Sequence, residues 1–374
     1  MKILTLNYEY PPIGGGGATV SAQLCEHLVQ LGHSVDVVTM RHKGLLNEET
    51  INGVNIFRVP SYRKQRDICK THEMATYLLG GRKPALKLAQ QNQYDIIHTH
   101  FIIPTGPLVQ YIHKHTGIPY LITCHGSDVP GYNPDRFGLQ HKLLMPYWKK
   151  LVRTAPALVS PSMALRDLMM SHCPELNVSV IPNGYETAHF QQREKEGNSI
   201  LLCSRLLPRK GFQYVIEAVK ELSLDWQVHI IGEGPYRQTL EQMAEGSKTP
   251  ITFHGWLDRD DLKFRELYET SEIFIFPSEM ENFPTVLLEA MSAGCAIITS
   301  TAGGCPEVVG EAGILVKPQN ATDIGNAIME LTQSPEKRAE LSQAALVRVQ
   351  QFTWQGIACR YLELYHTLAN TETR

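Results

Sequence analysis

Two glutamates, Glu281 and Glu289, lie on either side of a predicted helix start in the stretch PSEMENFPTVLLEAMSAG, residues 277–294. The apolar run IFIF before them is typical of a strand buried on both faces, and Pro284 suits a first helical position. In an open parallel sheet, ligands bind beyond the carboxyl ends of the strands. There Glu289 can accept hydrogen bonds from a pair of ribose hydroxyls, and Glu281 can face the hydroxyls of a sugar. A helix-dipole partner and a solvated loop acid are the alternatives.

Two cations follow another predicted strand. The segment SRLLPRKG, residues 204–211, places Arg205 and Lys210 on the loop before a helix. A guanidinium group can bind two phosphate oxygens at once, and an ammonium group acts as a point charge, so the pair fits a diphosphate. The alternative interpretation is that both residues only contribute surface charge. The phosphates would then be bound by N–H groups and cations, and the sugars by carboxylates.

The glycine run IGGGGA, residues 13–18, lies between the first strand and its helix, where bare backbone can approach a ligand. It is not the dinucleotide fingerprint, because the third glycine would fall on Thr19 and no acid ends the second strand. NAD binding is therefore disfavoured, and a flexible loop remains the alternative to a ligand contact.

Histidines end two further predicted strands. His125 opens HGSD, where it can reach a ligand, although a histidine satisfied by backbone is the alternative. His98 and His100, in the earlier HTH, could pair with His125 around a metal ion. No carboxylate follows at ligand spacing, so we expect no metal site.

The composition is that of a globular protein. A chain of 374 residues predicts two domains, and 43% hydrophobic with 20% charged residues argues against disorder. The cysteines are scattered without a C-x-x-C pair, which indicates reduced thiols in a cytoplasmic protein and no disulfide framework. No apolar run approaches about 18 residues, so we expect no membrane span. The first residues, MKILTLNYEYPP, become polar and proline-rich too soon for a secretory signal, so we expect none.

Charge is unevenly distributed along the chain. Residues 1–180 carry 18 Lys and Arg against 12 Asp and Glu, whereas residues 181–374 carry 17 against 26. Much of the excess positive charge falls in the basic segment 58–87 and in YWKKLVR, residues 147–153. A solvated face is one interpretation, and an anionic acceptor or an anionic membrane surface is the other.

Short apolar strands alternate with helical patterns in both halves of the chain, which predicts parallel sheets. We expect two doubly wound, Rossmann-like α/β domains facing a central cleft: residues 1–185 and 199–352, joined by a polar linker at 186–198. The basic stretch 60–75 is the longest segment predicted to be irregular.

At this point the ordered motifs resemble the retaining glycosyltransferases of family 4 (GT4), which have the GT-B fold. The spacing of Glu281 and Glu289 matches the family's E-x7-E signature. The other matching segments are YPPIGGGG, HGSD, IPNG, SRLLPRKG, IIGEGP and AGGCPE. Asn282 departs from the pattern, since the family often has glycine there. The family's C-terminal helix commonly crosses back to the first domain, which assigns residues 353–374 to that domain.

The resemblance implies transfer of a sugar from a UDP- or GDP-sugar to an acceptor hydroxyl with retention, without a metal or other cofactor. The acceptor would be a glycan, a lipid-linked molecule or a small molecule, with no nucleic-acid partner. The catalytic residues implied are His125, Arg205, Lys210 and Glu281. The donor-binding residues implied are Gly15, Gly16, Arg205, Lys210, Glu281, Asn282, Phe283 and Glu289.

Two other classes remain open on the sequence. A nucleotide-sugar epimerase or a phosphorylase also uses two such domains, although nothing singles out a pyridoxal-binding lysine. A non-catalytic nucleotide-sugar-binding or membrane-scaffold protein is the other alternative. The segment 58–87 is a candidate for peripheral contact with the inner membrane surface.

Overall fold

The computed structural model describes residues 1–186, 190, 191, 195 and 198–371, with no side-chain description for 134–137, 221 and 371. The chain forms two compact units. Unit 1 consists of residues 1–184 and the helix that begins at Trp354; unit 2 consists of the described residues from Tyr185 to Thr353. Most of the predicted linker, 186–198, lies outside the described residues, as do residues 372–374.

Unit 1 is built on one sheet. Its strands are β1 (Lys2–Leu6), β2 (Ser34–Met40), β3 (Glu48–Ile51), β4 (Val54–Val59), β5 (Ile96–His100), β6 (Tyr120–Thr123), β7 (Leu158–Ser160) and β8 (Val178–Val180). Its helices are α1 (Gly16–Gln30), α2 (Thr71–Gln91), α3 (Gly106–Thr116), α4 (Pro134–Thr154), α5 (Met163–His172) and α13 (Trp354–Thr371).

The strand order in unit 1 is β3-β4-β2-β1-β5-β6-β7-β8, and all neighbours are parallel except β3 and β4. β1 lies between β2 and β5, so the chain leaves β1 towards one side of the sheet and returns later on the other. Loops that follow strands at such a switch point separate and leave a crevice at the carboxyl edge. The glycine run after β1 and the HGSD segment after β6 both lie at this edge.

Two elements of unit 1 were not predicted from the sequence. Asn52 and Gly53 both have left-handed backbones and connect β3 to β4 as an antiparallel hairpin, a signal that the sequence INGVN did contain. α2 begins at Thr71, so the prediction of an irregular 60–75 was wrong for its last five residues. Gly80 lies so close to the Pro60 carbonyl that any side chain would collide with it. A glycine usually suggests a break in a helix, but here it allows α2 to pack against Pro60.

The basic segment 58–87 contains two arginines that are not surface charges. Arg58 is buried and forms an ion pair with Glu49. Arg63 is also buried, and its guanidinium lies 2.9 Å from the Glu9 carboxylate. Burying a charge requires a partner, and both arginines have one. The interpretation of this segment as a uniformly solvated or membrane-facing surface is therefore wrong at these two positions.

The C-terminal helix α13 is part of unit 1. Its stripe of apolar residues is buried at Ile357, Tyr361 and Tyr365, as the helical spacing predicts. The Tyr365 hydroxyl lies 2.6 Å from Nδ1 of His98 in β5. α13 therefore completes the core beside the central strands of this sheet.

Unit 2 contains the strands predicted for the second half of the chain. They are β9 (Ser199–Cys203), β10 (Gln227–Ile231), β11 (Ile251–Gly255), β12 (Ile273–Phe276), β13 (Ala296–Ser300) and β14 (Gly313–Val316). The helices are α6 (Phe212–Glu221), α7 (Arg237–Ala244), α8 (Leu262–Thr270), α9 (Thr285–Ser292), α10 (Cys305–Val309), α11 (Ala321–Gln333) and α12 (Pro335–Val349).

All strand pairs in unit 2 are parallel, in the order β11-β10-β9-β12-β13-β14. The central strands β9, β12 and β13 are buried along their whole length, since helices cover both faces of a parallel sheet. The switch point lies between β9 and β12. The loops after these two strands carry the cations and acids that the sequence singled out.

Every cysteine is a free thiol, and seven are buried while Cys359 is exposed. Among the described helices, none combines the length and the apolar character needed to cross a membrane.

Candidate functional site

In unit 2, the loops after β9 and β12 are held together by backbone contacts. Gly211 has a left-handed backbone, and any side chain there would collide with the carbonyl of Pro277. The Glu279 N–H donates a hydrogen bond to the Arg209 carbonyl at 2.9 Å. The loop that carries Lys210 is therefore fixed against the loop that carries Glu281.

Lys210 and Glu281 form an ion pair at this switch point. The Ser278 hydroxyl lies 2.8 Å from Oε1 of Glu281, the oxygen that also accepts a hydrogen bond from the Lys210 ammonium. The Lys210 ammonium lies 5.2 Å from the centre of the Phe276 ring. Oε2 of Glu281 has no hydrogen-bond partner within the part of the chain that the structure describes. One carboxylate oxygen is thus anchored and the other is available to a ligand.

The backbone of Glu281 is fixed by the segment AGGCPE. The Gly304 N–H donates to the Glu281 carbonyl at 2.9 Å, and a side chain at Gly303 would collide with the same carbonyl. Only glycine allows this approach at Gly303, which also has a left-handed backbone. These glycines therefore position the backbone of Glu281.

Glu289 is more enclosed than the sequence suggested. It is the fifth residue of α9, which begins one residue after Pro284, the N-cap rather than the first helical residue. Its carboxylate is buried, accepts a hydrogen bond of 3.2 Å from the Tyr268 hydroxyl and forms an ion pair with the exposed Arg259. Burial raises the pKa of Glu289, and Arg259 opposes that shift. Arg259 thus competes with any hydroxyl groups that would approach this acid.

The remaining predicted residues of unit 2 differ in exposure. Arg205 is exposed and has no ion-pair or hydrogen-bond partner among the described residues. Asn282 is half-buried beside Glu281. Phe283 is buried with its ring 5.4 Å from Phe352, so its side chain belongs to the core and only its backbone can meet a ligand.

In unit 1, packing accounts for only part of the glycine run. A side chain at Gly14 would collide with Glu9 and Ala18, and one at Gly17 would collide with the Phe101 ring. By contrast, a Cβ at Gly15 or Gly16 would meet open space. Because α1 begins at Gly16, unpaired N–H groups are exposed beside that space. A ligand that approaches the backbone would explain the two glycines that packing does not.

His125 lies beside this loop. Its Cγ would be 3.3 Å from a Cβ at Gly17, and its ring centre is 4.5 Å from that of Phe101. Burial lowers the pKa of His125 to about 3, so the imidazole is neutral at physiological pH. Unit 1 therefore places His125 beside the loop that carries Gly15 and Gly16, and all three are predicted site residues.

Asp128, the last residue of HGSD, has a structural role that the sequence did not reveal. Its two carboxylate oxygens accept hydrogen bonds from the N–H groups of His125, at 2.9 Å, and Ile102, at 2.8 Å. Burial raises its pKa to about 6, against the effect of these hydrogen bonds. Asp128 fixes the loop after β6 against the loop after β5 and so places His125.

The histidines of HTH are not arranged as metal ligands. His98 is bonded through both ring nitrogens, to Tyr365 at 2.6 Å and to Thr123 at 2.8 Å, and His100 Nδ1 lies 3.0 Å from His125 Nε2. Nowhere in the described ranges do three or more His, Cys, Asp or Glu residues come together as a group able to hold a metal ion.

Comparisons with known proteins agree with this architecture. Family profiles described as "Glycosyltransferase Family 4" and "Glycosyl transferases group 1" match residues 14–189 and 185–348. A protein of Methanocaldococcus jannaschii named an uncharacterized glycosyltransferase is 29% identical over 399 residues, 98% of each chain. Sucrose-phosphate synthase from Thermosynechococcus elongatus has a TM-score of 0.85 at 20% identity, covering 99% of this chain and 100% of that one.

A further structural relative is HepE from Anabaena, solved in complex with UDP-glucose. Its TM-score is 0.74 at 19% identity, covering 98% of this chain and 100% of that one. The two parallel sheets and these relatives define a glycosyltransferase with the GT-B fold. The chain belongs to the glycosyltransferases of the GT4 type, as the ordered set of motifs predicted.

The buried neutral histidines predict how stability depends on pH. Burial lowers the pKa of His98 to about 3, whereas a histidine in the unfolded chain has a pKa of about 6.5. Below about pH 6.5 the unfolded chain therefore binds protons that the folded chain does not, so this stability is present above that pH and is lost as pH falls. From pH 7 to pH 5 we expect each such histidine to lower the free energy of unfolding by about 2 kcal/mol.

Urea unfolding of His98→Asn at both pH values tests this expectation. The variant should lose about 2 kcal/mol less than the wild type between pH 7 and pH 5, whatever its stability at pH 7. Replacement of the exposed His115 by Asn is the control and should leave the pH dependence unchanged. An equal pH dependence in wild type and His98→Asn would contradict the assignment of His98 as a neutral core histidine.

Proposed function

We propose that this glycosyltransferase transfers a sugar from a UDP- or GDP-sugar to an acceptor hydroxyl, with retention at the anomeric carbon and without a metal ion. The observation that carries the proposal is the Lys210–Glu281 pair at the switch point of unit 2, with Oε2 of Glu281 available. A cation next to an acid matches a ligand in which a diphosphate joins a sugar. The complex of HepE with UDP-glucose supports such a donor.

The ion pair suggests how the donor would be received. A diphosphate brings negative charge that attracts Lys210, while Ser278 continues to hold Oε1 of Glu281. Glu281 would then lose its cation and turn to the sugar hydroxyls. Arg205, exposed and unpaired among the described residues, adds a second cation for the charge that develops on the leaving phosphate.

The chemistry needs no covalent intermediate with the protein. The acceptor oxygen forms its bond to the anomeric carbon on the face from which the nucleoside diphosphate leaves, and the leaving phosphate takes the acceptor proton. Positioning and stabilisation of the phosphate are then sufficient to drive the step. By the resemblance described above, His125 and the Gly15–Gly16 backbone would act on the donor from unit 1.

Nucleotide binding should depend on Glu289. In a thermal-shift panel with UDP, GDP and NAD, a nucleotide at 100 times its dissociation constant stabilises the fold by about 2.7 kcal/mol. We expect a shift with UDP or GDP that persists with EDTA, and a dissociation constant roughly 10 to 100 times higher for Glu289→Ala, since hydrogen bonds to a charged group are lost. Tyr268→Phe, which keeps the carboxylate, is the matched control and should bind as wild type.

A shift with NAD alone, or one abolished by EDTA, would refute the donor site. Equal nucleotide affinity in Glu289→Ala and wild type would remove Glu289 from it.

Transfer should depend on Lys210 through kcat. Lys210→Ala should lower kcat by roughly 100-fold with a small change in KM, because its charge matters most as the phosphate leaves. The control is Lys248→Ala. Lys248 is exposed and precedes β11, so it lies at the amino ends of the strands, away from Lys210. With UDP-α-glucose or GDP-α-mannose and methanol as acceptor, ¹H NMR should detect the methyl α-glycoside.

A methyl β-glycoside would contradict retention. Interconversion of nucleotide sugars without release of UDP or GDP would favour an epimerase. The absence of both reactions, with intact nucleotide binding, would favour a binding protein.

We also propose that unit 1 makes a peripheral contact with an anionic membrane surface, mainly through α4. Exposed side chains at Leu139, Leu143 and Tyr147 recur every four residues and so form one stripe on this helix. Lys142 and Lys150 are exposed on the same helix, and residues 138–154 contain no acid. Apolar side chains beside lysines suit an interfacial helix on anionic lipid.

The positive surface continues onto the neighbouring helices. The Arg82 guanidinium of α2 lies 4.2 Å from the Tyr111 ring of α3, and its charge also acts on Tyr147 of α4. The proposed membrane contact therefore lies on α4 and the exposed part of α2. It does not involve the whole of 58–87, because Arg58 and Arg63 are buried.

Vesicle flotation tests this surface. The protein should float with vesicles containing phosphatidylglycerol but not with pure phosphatidylcholine, and binding should weaken as salt rises. Leu143→Asp should reduce binding about tenfold. The control is Leu262→Asp on unit 2, because Leu143 and Leu262 are similarly exposed, 72% and 82%. Equal loss in both variants, or no binding to anionic vesicles, would reject the proposal.

A further inference from the structure

His100 is a buried histidine whose position follows from strand geometry. It ends β5, and its Cα pairs in register with Thr123 of β6, two residues before His125. Because side chains alternate along a strand, His98 and His100 lie on the same face of the sheet. Their rings stack with centres 4.2 Å apart.

The ring of His98 is itself immobilised. Tyr365 of α13 and Thr123 of β6 occupy its two nitrogens, and Thr123 also lies 3.2 Å from the Tyr361 hydroxyl. A ring held at both nitrogens cannot rotate without breaking both bonds. His100, stacked on it and fully buried, is therefore confined to one orientation.

His100 in turn occupies one nitrogen of His125. Its Nδ1 lies 3.0 Å from His125 Nε2, and the two rings are inclined by 28°. Nε2 of His100 has no hydrogen-bond partner among the described residues, which is an unfavourable arrangement for a buried polar atom. A residue kept for stability alone would not retain such an atom, since an apolar side chain would avoid its desolvation.

From this geometry we infer that His100 is a positioning residue: it holds Nε2 of His125, so that Nδ1 is the nitrogen that His125 offers to the donor sugar. The inference rests on the proposed glycosyl transfer. In the described part of the chain, His125 Nδ1 has no hydrogen-bond partner, and the ring lies beside Gly17, the residue that follows the open positions Gly15 and Gly16. Because Nε2 shares one hydrogen with His100, the same bond determines whether Nδ1 donates or accepts.

Two substitutions at His100 separate positioning from packing. Asn places an amide near the position of Nδ1 and can either donate to or accept from His125 Nε2, whereas Leu fills similar space and can do neither. We expect His100→Asn to retain kcat/KM within about threefold of wild type. His100→Leu should lose roughly 10-fold to 100-fold, because a misplaced reacting group has effects of that order.

Melting temperature and nucleotide affinity distinguish a positioning role from a structural one. If His100 were only structural, the loss of activity would be accompanied by a loss of stability. His100→Leu removes one unsatisfied nitrogen, His100 Nε2, but leaves His125 Nε2 without its partner, so its melting temperature should stay close to that of wild type while its activity falls. UDP or GDP affinity, measured by the thermal shift used above, should not change, because the predicted nucleotide contacts of Glu289 and Lys210 belong to unit 2. In ¹⁵N NMR, the two ring nitrogens of His125 should change chemical shift in His100→Leu and return towards wild type in His100→Asn.

The outcomes are distinct. Full activity in His100→Leu with unchanged His125 shifts, or full activity in His125→Ala, would overturn the positioning role. Loss of activity in Asn and Leu alike, with a lower melting temperature in both, would make His100 a packing residue. Failure of the wild type to release UDP or GDP from any nucleotide sugar would instead reject the proposed function, whereas the ¹⁵N shifts would still report the His100–His125 bond.

Discussion

Close approach of backbone to backbone at the ends of the strands in unit 2 is the constraint on which the Lys210–Glu281 pair depends. Parallel strands end on the same side of a sheet, but the loops that follow them can bring backbone against backbone only where a side chain is absent. Gly211 beside Pro277 and Gly303 beside the Glu281 carbonyl are such places in unit 2. An alanine at either position would separate the loops and displace Lys210 from Glu281. The acids and cations therefore depend on glycines that do not contact them through side chains.

The two glutamates of the E-x7-E spacing are treated differently by their surroundings. Glu281 lies near the surface, where the Ser278 hydroxyl and the Lys210 ammonium both bind one of its carboxylate oxygens. Glu289 is buried, and its pKa is raised because desolvation outweighs the attraction of Arg259. Such a carboxylate gains most from new hydrogen-bond donors, so replacement of Arg259 by ligand hydroxyls is physically reasonable. Arg259 is long, exposed and attached to a loop, which makes it the partner that can move away.

The strands of unit 2 could be predicted because buried parallel strands leave continuous apolar runs between glycine and proline signals. Helix α2 could not, because Gly80, Gly81 and Pro84 are typical of a break, and only packing against Pro60 shows why the helix tolerates Gly80. The motif spacing predicted Glu281 and Lys210 as site residues. It could not show that they pair, since 71 residues separate them along the chain and sequence periodicity describes only local neighbours.

The same limit applies to His125, whose type and position were predicted but whose support was not. HGSD indicates a polar turn, yet the contacts that place the imidazole come from three distant elements. Asp128 accepts hydrogen bonds from the N–H groups of both His125 and Ile102, which follows β5. His100 binds Nε2 of His125, and α13 immobilises the His98 ring, which stacks on His100. A C-terminal helix that only buried apolar surface would not need tyrosine hydroxyls at its inner face. Tyr361 and Tyr365 instead belong to a layer of hydrogen-bonded and stacked side chains that ends at His125. This layer gives a physical reason for a helix more than 200 residues away in sequence to fold against the first sheet: the residues on which His125 depends are completed only when that helix is in place.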